Sequence, residues 1–446
     1  MKPVQSHALP QSPQALLGAS FECECGRTHV VPTKQVVYAP DAIEQLPDVL
    51  QREIRGRSVA LVADARTHAI AGAATARVLE RAGWTVATHV LPDPPGGSPV
   101  CDATTYAALL QATGAADVFV AVGSGVVNDL TKWVAHEKHT PYAAVATAAS
   151  MNGYTAANVA PSLRGVKCLV RATAPCAVFA VPAIIENAPL TMTLAGFGDV
   201  IAKPFSTADW LMNHQLLGER YCARCAELIT GIEPLYLDHP ERLRQRAPDA
   251  VRALFDALVY SGIAMTMMGT SAPASGGEHL FSHTLDMLSA LDGVPHDLHG
   301  RQVGLGTLIA AALYERVFRL ELPCRFNLPP GVDTAIWGSV AEALAPDYAA
   351  KLAQLPSVRA ALTAKNAWQT LRTALAPRLK PSRAIAECLT RAGAARRLAD
   401  IGCPRDRAKR AILHMHEIRV RFMIVDLAWL TGILPACADA LLDELA

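Results

Sequence analysis

The sequence predicts an α/β N-terminal region followed by an all-α C-terminal region. From about residue 35 to residue 190, short apolar runs rich in Val and Ala alternate with helical patterns. This alternation is typical of a parallel sheet covered by helices on both faces. After residue 190 the strand pattern ends and helical patterns punctuated by prolines follow. With 446 residues, 51% of them hydrophobic and 18% charged, the chain can form two or three domains with large cores, which excludes a disordered protein.

Six buried strands and the helices between them account for the first region. Asp41 and Glu44 have the form of a capping box at the start of the first helix, and Cys168–Ala172 is interpreted as one strand of an inserted hairpin. The predicted strands are Gln35–Tyr38, Ser58–Ala63, Thr85–Leu91, Val118–Val122, Ala143–Ala146 and Ala177–Val181. The predicted helices are Asp41–Gln51, Ala69–Ala82, Asp102–Gln111 and Val126–His136.

Nine helical patterns make up the second region, and Pro356 is expected to break the sixth of them near its start. We expect three parts in the chain: an N-terminal arm at residues 1–34, which lacks periodicity, an α/β domain at 35–190 and a helical domain at 191–446. A cleft between two such domains is a usual place for a ligand. The predicted helices are Thr193–Leu217, Pro248–Met268, His279–Leu291, Gln302–Phe318, Ala335–Ala345, Ala350–Ala376, Pro381–Arg391, Pro404–Leu413 and His416–Leu430.

Composition narrows the possible partners and the compartment. Lys and Arg total 41 and Asp and Glu total 40, a formal net charge of +1, so charge gives no reason to expect nucleic acid or an acidic membrane surface. The sequence contains no continuous apolar run of the length that spans a membrane. The 11 cysteines are an odd, scattered set, which indicates reduced thiols and a cytoplasmic location.

A glycine-rich turn is the first candidate for nucleotide binding. The strand Val118–Val122 leads into Gly123, Ser124 and Gly125 and then into a helix. Glycines let the backbone approach a phosphate, and a helix N-terminus supplies free N–H groups. The turn lacks the full dinucleotide fingerprint because position 128 is Asn, and such a turn is often only a connection between elements.

Asp64 is the second nucleotide candidate, because it ends the strand that begins at Ser58. A carboxylate at this place can accept both hydroxyls of an adenosine ribose. It would repel a 2′-phosphate and so favour NAD over NADP. The alternative is an exposed turn or cap residue.

Asp199, His279, His283 and His299 are the candidates for a metal site. His279 and His283 are four residues apart on one predicted helical face, and His299 follows a turn. One Asp with two His and an open coordination position is typical of a catalytic metal site. The alternative for Asp199 is a helix N-cap. Glu278 precedes His279, so the zinc-protease pattern is absent.

Two groups of cysteines resemble metal or redox motifs less closely. Cys23, Cys25 and His29 form a possible metal site that lacks a fourth ligand, and the spacing of the two cysteines is cramped for one ion. Cys222 and Cys225 have redox-motif spacing without a partner pair. The sequence favours ordinary core or surface thiols at these positions.

Six motifs occur in one order along the chain and together resemble a known family. They are GSGVVND at 123–129, TAASMNGY at 147–154, NAP at 187–189, GFGD at 196–199, MGTSAPASGGEH at 268–279 and HGRQVG at 299–304. This set resembles the sn-glycerol-1-phosphate dehydrogenases, in their AraM-like bacterial branch, within the iron-containing alcohol dehydrogenase and dehydroquinate synthase-like superfamily. The resemblance runs from about residue 35 to the C-terminus and includes Arg419 and Arg421 in a late motif.

The resemblance implies a Rossmann-like dinucleotide-binding domain, a helical domain that binds metal and substrate, and a homodimer. It implies that Asp199, His279 and His299 bind one zinc or nickel ion, that Asp199 also lies beside the substrate, and that His283 contacts the substrate. The implied contacts to NAD(H) or NADP(H) are Asp64 at the ribose, Gly123, Ser124, Gly125, Val126 and Val127 at the pyrophosphate, and Thr147 and Ser150. By helical position, the candidates for binding a substrate phosphate are Arg419, Arg421 and Lys203.

Two positions depart from the family pattern. Asn152 stands where an Asp usually contacts substrate, so hydrogen bonding is kept while charge and basicity are lost. Ala156 stands where a Ser usually contacts the cofactor, which removes a hydrogen bond worth about 0.5–1.5 kcal/mol.

The resulting expectation is reduction of dihydroxyacetone phosphate to sn-glycerol 1-phosphate by NAD(P)H, with Asp199 and His283 as the catalytic residues. Three alternatives stay open at this point. They are a dehydroquinate synthase-like lyase, a dehydrogenase of another phosphorylated or phosphonate ketone or aldehyde, which Asn152 suggests, and a non-catalytic nucleotide-binding relative.

Overall fold

The computed structural model describes residues 16–95, 97–231, 233, 237–322 and 328–446. All strands in these ranges lie in the first half of the chain. They are β1 (Ser20–Glu22), β2 (Thr28–Val30), β3 (Gln35–Tyr38), β4 (Ser58–Asp64), β5 (Thr85–Leu91), β6 (Val118–Gly123), β7 (Tyr142–Ala146), β8 (Asn158–Val159), β9 (Ser162–Leu163), β10 (Val166–Lys167), β11 (Val170–Arg171) and β12 (Ala177–Ala180).

Six of these strands form one parallel sheet in the order β3-β12-β7-β6-β4-β5, which confirms the predicted α/β region. Strands β6, β7 and β12 are buried along their whole lengths, because helices cover both faces of the sheet. The edge strand β5 is mostly exposed or half-buried. The strand predicted at Cys168–Ala172 is also present, as β11 paired with β8.

Helices provide the sheet cover and all regular structure among the described residues after Ala180, which confirms the all-α C-terminal region. The α-helices are α1 (Ala42–Glu53), α2 (Ala65–Thr67), α3 (Ala73–Arg81), α4 (Ala103–Ala112), α5 (Gly125–Glu137), α6 (Pro182–Asn187), α7 (Leu190–Ile201), α8 (Lys203–Leu217), α9 (Ala223–Thr230), α10 (Glu241–Arg244), α11 (Pro248–Met268), α12 (Gly277–Asp292), α13 (His299–Phe318), α14 (Thr334–Trp337), α15 (Ala341–Thr363), α16 (Ala367–Leu375), α17 (Ser382–Ala392), α18 (Arg405–His414), α19 (Ile424–Leu430) and α20 (Ala438–Glu444). A π-helical turn at His68–Gly72 joins α2 to α3.

Local chemistry explains where the helix predictions were wrong. The capping box at Asp41 does not form, since the Asp41 side chain accepts from Gln45 instead. The helix predicted at 193–217 is divided between α7 and α8, with Pro204 in the first turn of α8, where a missing N–H is tolerated. Pro356 lies exposed inside α15, and the break comes later, at Asn366 with a φ of 61°. Asn adopts this left-handed conformation more readily than most residues.

The helix predicted at 416–430 also differs. A 3₁₀ turn at Met415–Ile418 is followed by extended backbone at Arg419, and α19 begins only at Ile424. The extended segment lets Arg419 reach the cavity between the α/β and helical regions.

The described part of the expected N-terminal arm is a hairpin formed by β1 and β2, which the lack of periodicity did not predict. Arg27 and His29 donate to the carbonyls of Met268 and Met267 at the end of α11, so the hairpin is fixed to the helical region. Residues 1–15 of the arm lie outside the described residues.

Close helix packing in the second region depends on glycine. A Cβ on Gly198 of α7 would lie 2.0 Å from the carbonyl oxygen of Gly300 on α13. The backbones of α7 and α13 therefore touch, which fixes Asp199 beside the start of α13. Helix α11 is apolar and long enough to cross a membrane, but 78% of its most apolar window is buried inside the protein, as in a core helix.

Candidate active site

A cavity of about 230 Å³ lies between the carboxyl ends of the sheet strands and the helical region. Parallel α/β sheets commonly bind ligands at this edge. Both regions contribute to its wall. The residues that line it include Gly125, Val126, Asn152, Ala156, Lys167, Asp199, His279, His283, His299 and Arg419.

The structure brings together three of the predicted metal ligands from three helices. Asp199 comes from α7, His279 from α12 and His299 from the first residue of α13, and their ligand atoms all lie within 4.8 Å of one another. His279 Nε2 is 3.4 Å from Asp199 Oδ1. One carboxylate and two imidazoles are a donor set that suits borderline divalent ions such as Zn²⁺, so these residues fit a catalytic metal.

The nitrogen of each imidazole that faces away from the cluster has its own polar partner. His279 Nδ1 lies 2.8 Å from Glu278 Oε1. His299 Nδ1 lies 2.9 Å from Ser282 Oγ, which in turn donates to Gln302 Oε1 at 2.8 Å. If each Nδ1 carries the proton, each Nε2 presents a lone pair to the cluster, as in other histidine metal sites. Sequence reasoning missed Ser282 and Gln302, whose helical positions gave no such signal.

Asp199 is almost fully buried but remains charged. Burial opposes its ionisation, yet the nearby charges of Lys203 and His279 outweigh this effect and hold the pKa of Asp199 below its usual value. Lys203 Nζ donates to Asp199 Oδ1 at 2.6 Å. The structure therefore contradicts the placement of Lys203 as a phosphate ligand, because its ammonium group is also bonded to the Ala274 carbonyl and is buried away from the cavity.

The three histidines differ in their proton affinities. Burial lowers the pKa of His299 to about 3, assisted by the neighbouring His279. Burial and then the Arg419 charge lower the pKa of His283. At His279, burial is outweighed by Asp199 and Glu278, and the pKa is raised. His283 and His299 are therefore neutral near pH 7.

The predicted pyrophosphate loop lies where β6 ends and α5 begins. Gly125 and Val126 line the cavity, and a Cβ at Gly125 would come no nearer than 3.8 Å to a heavy atom of its surroundings. The first N–H groups of α5 have no partner within the helix, so this end of α5 fits a phosphate. Gly123, Ser124 and Val127 complete the turn without lining the cavity.

The remaining predicted cofactor contacts lie at the same sheet edge. Thr147 follows β7, its N–H bonds to Gly123 O at 3.3 Å, and Ser150 lies three residues further along. Asp64 ends β4, where its carboxylate accepts from the Thr67 N–H at 2.8 Å and meets Arg66 Nη2 at 3.2 Å. Asp64 therefore caps a helix, which was the alternative interpretation of this residue. It lies at the end of β4, the strand that pairs with β6.

Two cations reach the cavity near His283. Arg419 Nη2 lies 3.5 Å from His283 Nδ1, and Lys167 comes from β10 in the inserted hairpins. Lys167 was not predicted, since a two-residue strand gives no recognisable pattern. Arg421, a second predicted phosphate ligand, instead donates to Ser275 O and Thr270 Oγ1 and is outside the cavity lining.

The two departures from the family pattern both lie in the cavity wall. Asn152 donates through its backbone N–H to Asp199 Oδ2 at 3.1 Å, and its amide Nδ2 lies 3.3 Å from Asp199 Oδ1. Ala156 packs in a small apolar cluster with Met265 and Ala274.

Comparison with known proteins gives a consistent result. The family model for iron-containing alcohol dehydrogenase matches residues 37–189. The glycerol-1-phosphate dehydrogenase [NAD(P)+] of Geobacillus stearothermophilus is 34% identical over 330 residues, which cover 73% of this chain and 81% of the relative. The protein of the same name from Bacillus subtilis is 28% identical over 403 residues, covering 90% of this chain and 92% of the relative.

Solved structures share the fold at lower sequence identity. A probable glycerol dehydrogenase from Sinorhizobium meliloti superposes with a TM-score of 0.59 at 16% identity, covering 92% of this chain and 98% of that one. A glycerol dehydrogenase from Schizosaccharomyces pombe gives a TM-score of 0.61 at 14% identity, covering 92% and 91%. These neighbours confirm the dehydroquinate synthase-like fold.

Proposed function

The chain belongs to the glycerol-1-phosphate dehydrogenase family, and on that premise we propose that it reduces dihydroxyacetone phosphate to sn-glycerol 1-phosphate with NAD(P)H. The observation that carries the proposal is the meeting of Asp199, His279 and His299 in the cavity that the N-terminus of α5 also borders. A metal-binding set and a phosphate-binding helix end in one cavity support a metal-dependent dehydrogenase over the non-catalytic alternative.

Asp199, His279 and His299 would hold the metal, and the cofactor would bind from Asp64 across the turn at 123–127, with Thr147 and Ser150 beside it. When bound, the metal supplies Lewis-acid polarisation of the substrate carbonyl and NAD(P)H supplies the hydride. The chain's own residues fix the geometry. Lys203 and Asn152 orient the Asp199 carboxylate by hydrogen bonds, while Glu278 and Ser282 orient the imidazoles.

The part of the cavity beside His283 provides positive charge for the substrate and a hydrogen-bond donor. Lys167 and Arg419 are the cations that reach the cavity wall beside His283, and they would bind the phosphate dianion. Arg419 can donate only, so His283 accepts at Nδ1 and carries its proton on Nε2. A neutral imidazole in this tautomer can donate a hydrogen bond from Nε2 to the substrate oxygen as negative charge develops on it, while water supplies the proton.

Three finer assignments accompany this proposal. We propose Zn²⁺ or Ni²⁺ as the metal, because one carboxylate and two neutral imidazoles suit both ions. We propose a cytoplasmic location, which the free cysteines among the described residues support. We also propose a homodimer, as the family resemblance implies, and sedimentation of the purified protein tests it directly.

NADH oxidation with dihydroxyacetone phosphate, followed on the metal-loaded enzyme, tests the function. His279→Ala should remove the active-site metal and lower kcat/KM by roughly a thousand-fold or more, since Lewis-acid activation is worth several kcal/mol. His239→Ala is the matched control, because its side chain is about 73% exposed and lies outside the ligand cluster. Turnover in His279→Ala at the wild-type rate, or a wild-type enzyme active only on a different ketone phosphate, would overturn the proposal.

A further inference from the structure

Four side chains from two distant parts of the chain converge beside the N-terminal hairpin. Cys23 and Cys25 lie in the β1–β2 turn, His29 lies on β2, and Cys222 directly precedes α9. Their sulfur and nitrogen ligand atoms all lie within 4.8 Å of one another. The cluster is separate from the active-site cavity, since none of the four residues lines it.

Three distances within the cluster match the edges of a tetrahedral metal site. Cys23 Sγ is 3.7 Å from Cys222 Sγ, Cys222 Sγ is 3.5 Å from His29 Nε2, and Cys25 Sγ is 3.3 Å from His29 Nε2. Zinc bonds of 2.3 Å to sulfur and 2.0–2.1 Å to nitrogen give tetrahedral edges of roughly 3.8 Å and 3.5 Å. A disulfide would instead bring two sulfur atoms to about 2.05 Å.

The groups around the cluster leave its nitrogen and sulfur atoms in a state that can bind a metal. His29 Nδ1 lies 2.9 Å from the Met267 carbonyl oxygen, so Nδ1 carries the ring proton and Nε2 presents its lone pair to the sulfur atoms. His29 and Cys222 are fully buried, while Cys23 and Cys25 are half-buried. The cluster therefore has an inner half enclosed by protein and an outer half through which an ion can enter.

We propose that Cys23, Cys25, His29 and Cys222 bind one structural zinc ion. The sequence interpretation lacked a fourth ligand for the first three residues and treated Cys222 as part of a separate pair. The fold supplies that ligand, because it brings Cys222 beside the hairpin although Cys222 lies 193 residues after His29 in the chain. The three thiols lose their protons on binding, and four protein donors leave no open position for a substrate.

The ion would connect the hairpin to the start of α9, and the hairpin is itself bonded to the segment that leads into the active site. Arg27 donates to Met268 O at 2.8 Å, which is the end of α11. Residues 269–276 follow, and three of them line the active-site cavity before α12 begins with its two histidines. A zinc ion at this place would therefore stabilise the position of the segment that carries Ser271 and Ser275.

The wild-type full-length protein tests the proposal without any mutation. We expect about two metal equivalents per chain when both sites are filled, and X-ray absorption with zinc–sulfur scattering at about 2.3 Å. Replacement by Co²⁺ should give a thiolate-to-cobalt charge-transfer band together with tetrahedral d–d bands. Absorption that shows only nitrogen and oxygen ligands, a different metal bound by these sulfur atoms, or a Cys23–Cys222 disulfide in non-reduced mass spectra would overturn it.

Substitutions separate this site from the active site. Cys25→Ser should remove about one zinc equivalent and the sulfur scattering, while Cys403→Ser, a half-buried thiol outside the cluster, should change neither. Cys25→Ser/Cys225→Ser excludes rescue by the buried thiol of Cys225, which lies next to Cys222. His279→Ala should lose the other equivalent and keep the sulfur scattering, so failure of the zinc proposal and failure of the dehydrogenase proposal give different results. Full metal content in Cys25→Ser and in the double variant would contradict the site.

Discussion

Asp199 has polar contacts with residues of three different segments. Lys203 comes from the next helix, Asn152 from the segment after β7, and His279 from α12. The amide at Asn152 has a consequence here, because an Asp at that position would set a second carboxylate about 3.3 Å from Asp199. Asn152, which departs from the family pattern, therefore provides an amide donor that stabilises the charged form of Asp199.

Asp64→Ala tests the ribose role at the sheet edge. We expect the KM for NADH to rise roughly ten-fold, because hydrogen bonds to a carboxylate are worth about 1.5–3 kcal/mol. The KM for NADPH should rise less, because the Asp64 carboxylate repels a 2′-phosphate and its removal offsets part of the loss. Steady-state kinetics with both cofactors measures the ratio.

Asp93→Ala is the matched control for this prediction, because Asp93 also pairs with Arg66, at 2.8 Å, but follows a different strand. Its NADH to NADPH preference should stay near that of the wild type. Loss of the helix cap at Asp64 lowers the free energy of unfolding by about 1 kcal/mol. This loss should weaken the binding of both cofactors equally. Equal changes for the two cofactors in Asp64→Ala would therefore leave Asp64 as a cap residue alone.

The sequence predicted the candidate metal ligands better than the residues that position them. His279 and His283 followed from helical spacing, and the set of Asp199, His279 and His299 followed from the family resemblance. The structure brings these together, while their roles stay predictions. Lys167 could not be predicted because it lies in a short inserted hairpin, and the Cys222 ligand could not because its partners are close only in the folded chain.

At the scale of elements, α12 and α13 touch through their backbones, and Gly306 makes this possible. A Cβ at Gly306 would lie 2.1 Å from the carbonyl oxygen of Glu278, next to His279. We expect Gly306→Ala to lower the free energy of unfolding by about 1–3 kcal/mol or more and to weaken metal retention. Urea denaturation and metal analysis measure the two effects.

Gly304→Ala on the same helix is the control, because a Cβ there has its nearest neighbour at 3.6 Å. It should be neutral or slightly stabilising, since Ala is favoured over Gly in helices by roughly 0.5–1 kcal/mol. Equal destabilisation by both substitutions would contradict a specific role for the close backbone contact at Gly306.

The six strands of the parallel sheet were predicted to within two residues. The short strands β1, β2, β8, β9 and β10 were missed, and several helix ends were wrong. Fully buried parallel strands such as β6 and β12 are continuous apolar runs, so composition alone marks them. Helix ends in the second region depend on tertiary contacts instead. Pro356 lies inside α15 with its ring exposed to solvent. The chain leaves helical geometry at Arg419, whose guanidinium group packs against His283.

At the scale of the whole molecule, Asp209 joins elements from distant parts of the helical region. Its carboxylate on α8 accepts from Tyr314 Oη at 2.5 Å, from the Gly277 N–H at 2.7 Å and from the Ile424 N–H at 2.9 Å. These donors belong to α13, α12 and α19. The protonation of one buried carboxyl group is thereby linked to the packing of four helices around the active site.

This linkage predicts how stability depends on pH. Burial, assisted by the Glu278 charge, raises the pKa of Asp209 to about 7, compared with about 3.9 in an unfolded chain. The folded protein therefore binds this proton more tightly than the unfolded chain does. The stabilisation is present below about pH 4 and is lost as the pH rises through 7, by at most about 1.4 kcal/mol per pH unit.

Urea denaturation from pH 5 to pH 8 measures this contribution by comparison with Asp209→Asn, which carries no titrating group at the position. As the pH rises, the free energy of unfolding of the wild type should fall relative to that of Asp209→Asn. Asp249→Asn removes a carboxylate whose side chain is about 63% exposed, and it should show no such shift. A parallel pH dependence of wild type and Asp209→Asn would mean that the three donors keep Asp209 charged throughout, and that helix packing around the active site does not depend on its proton.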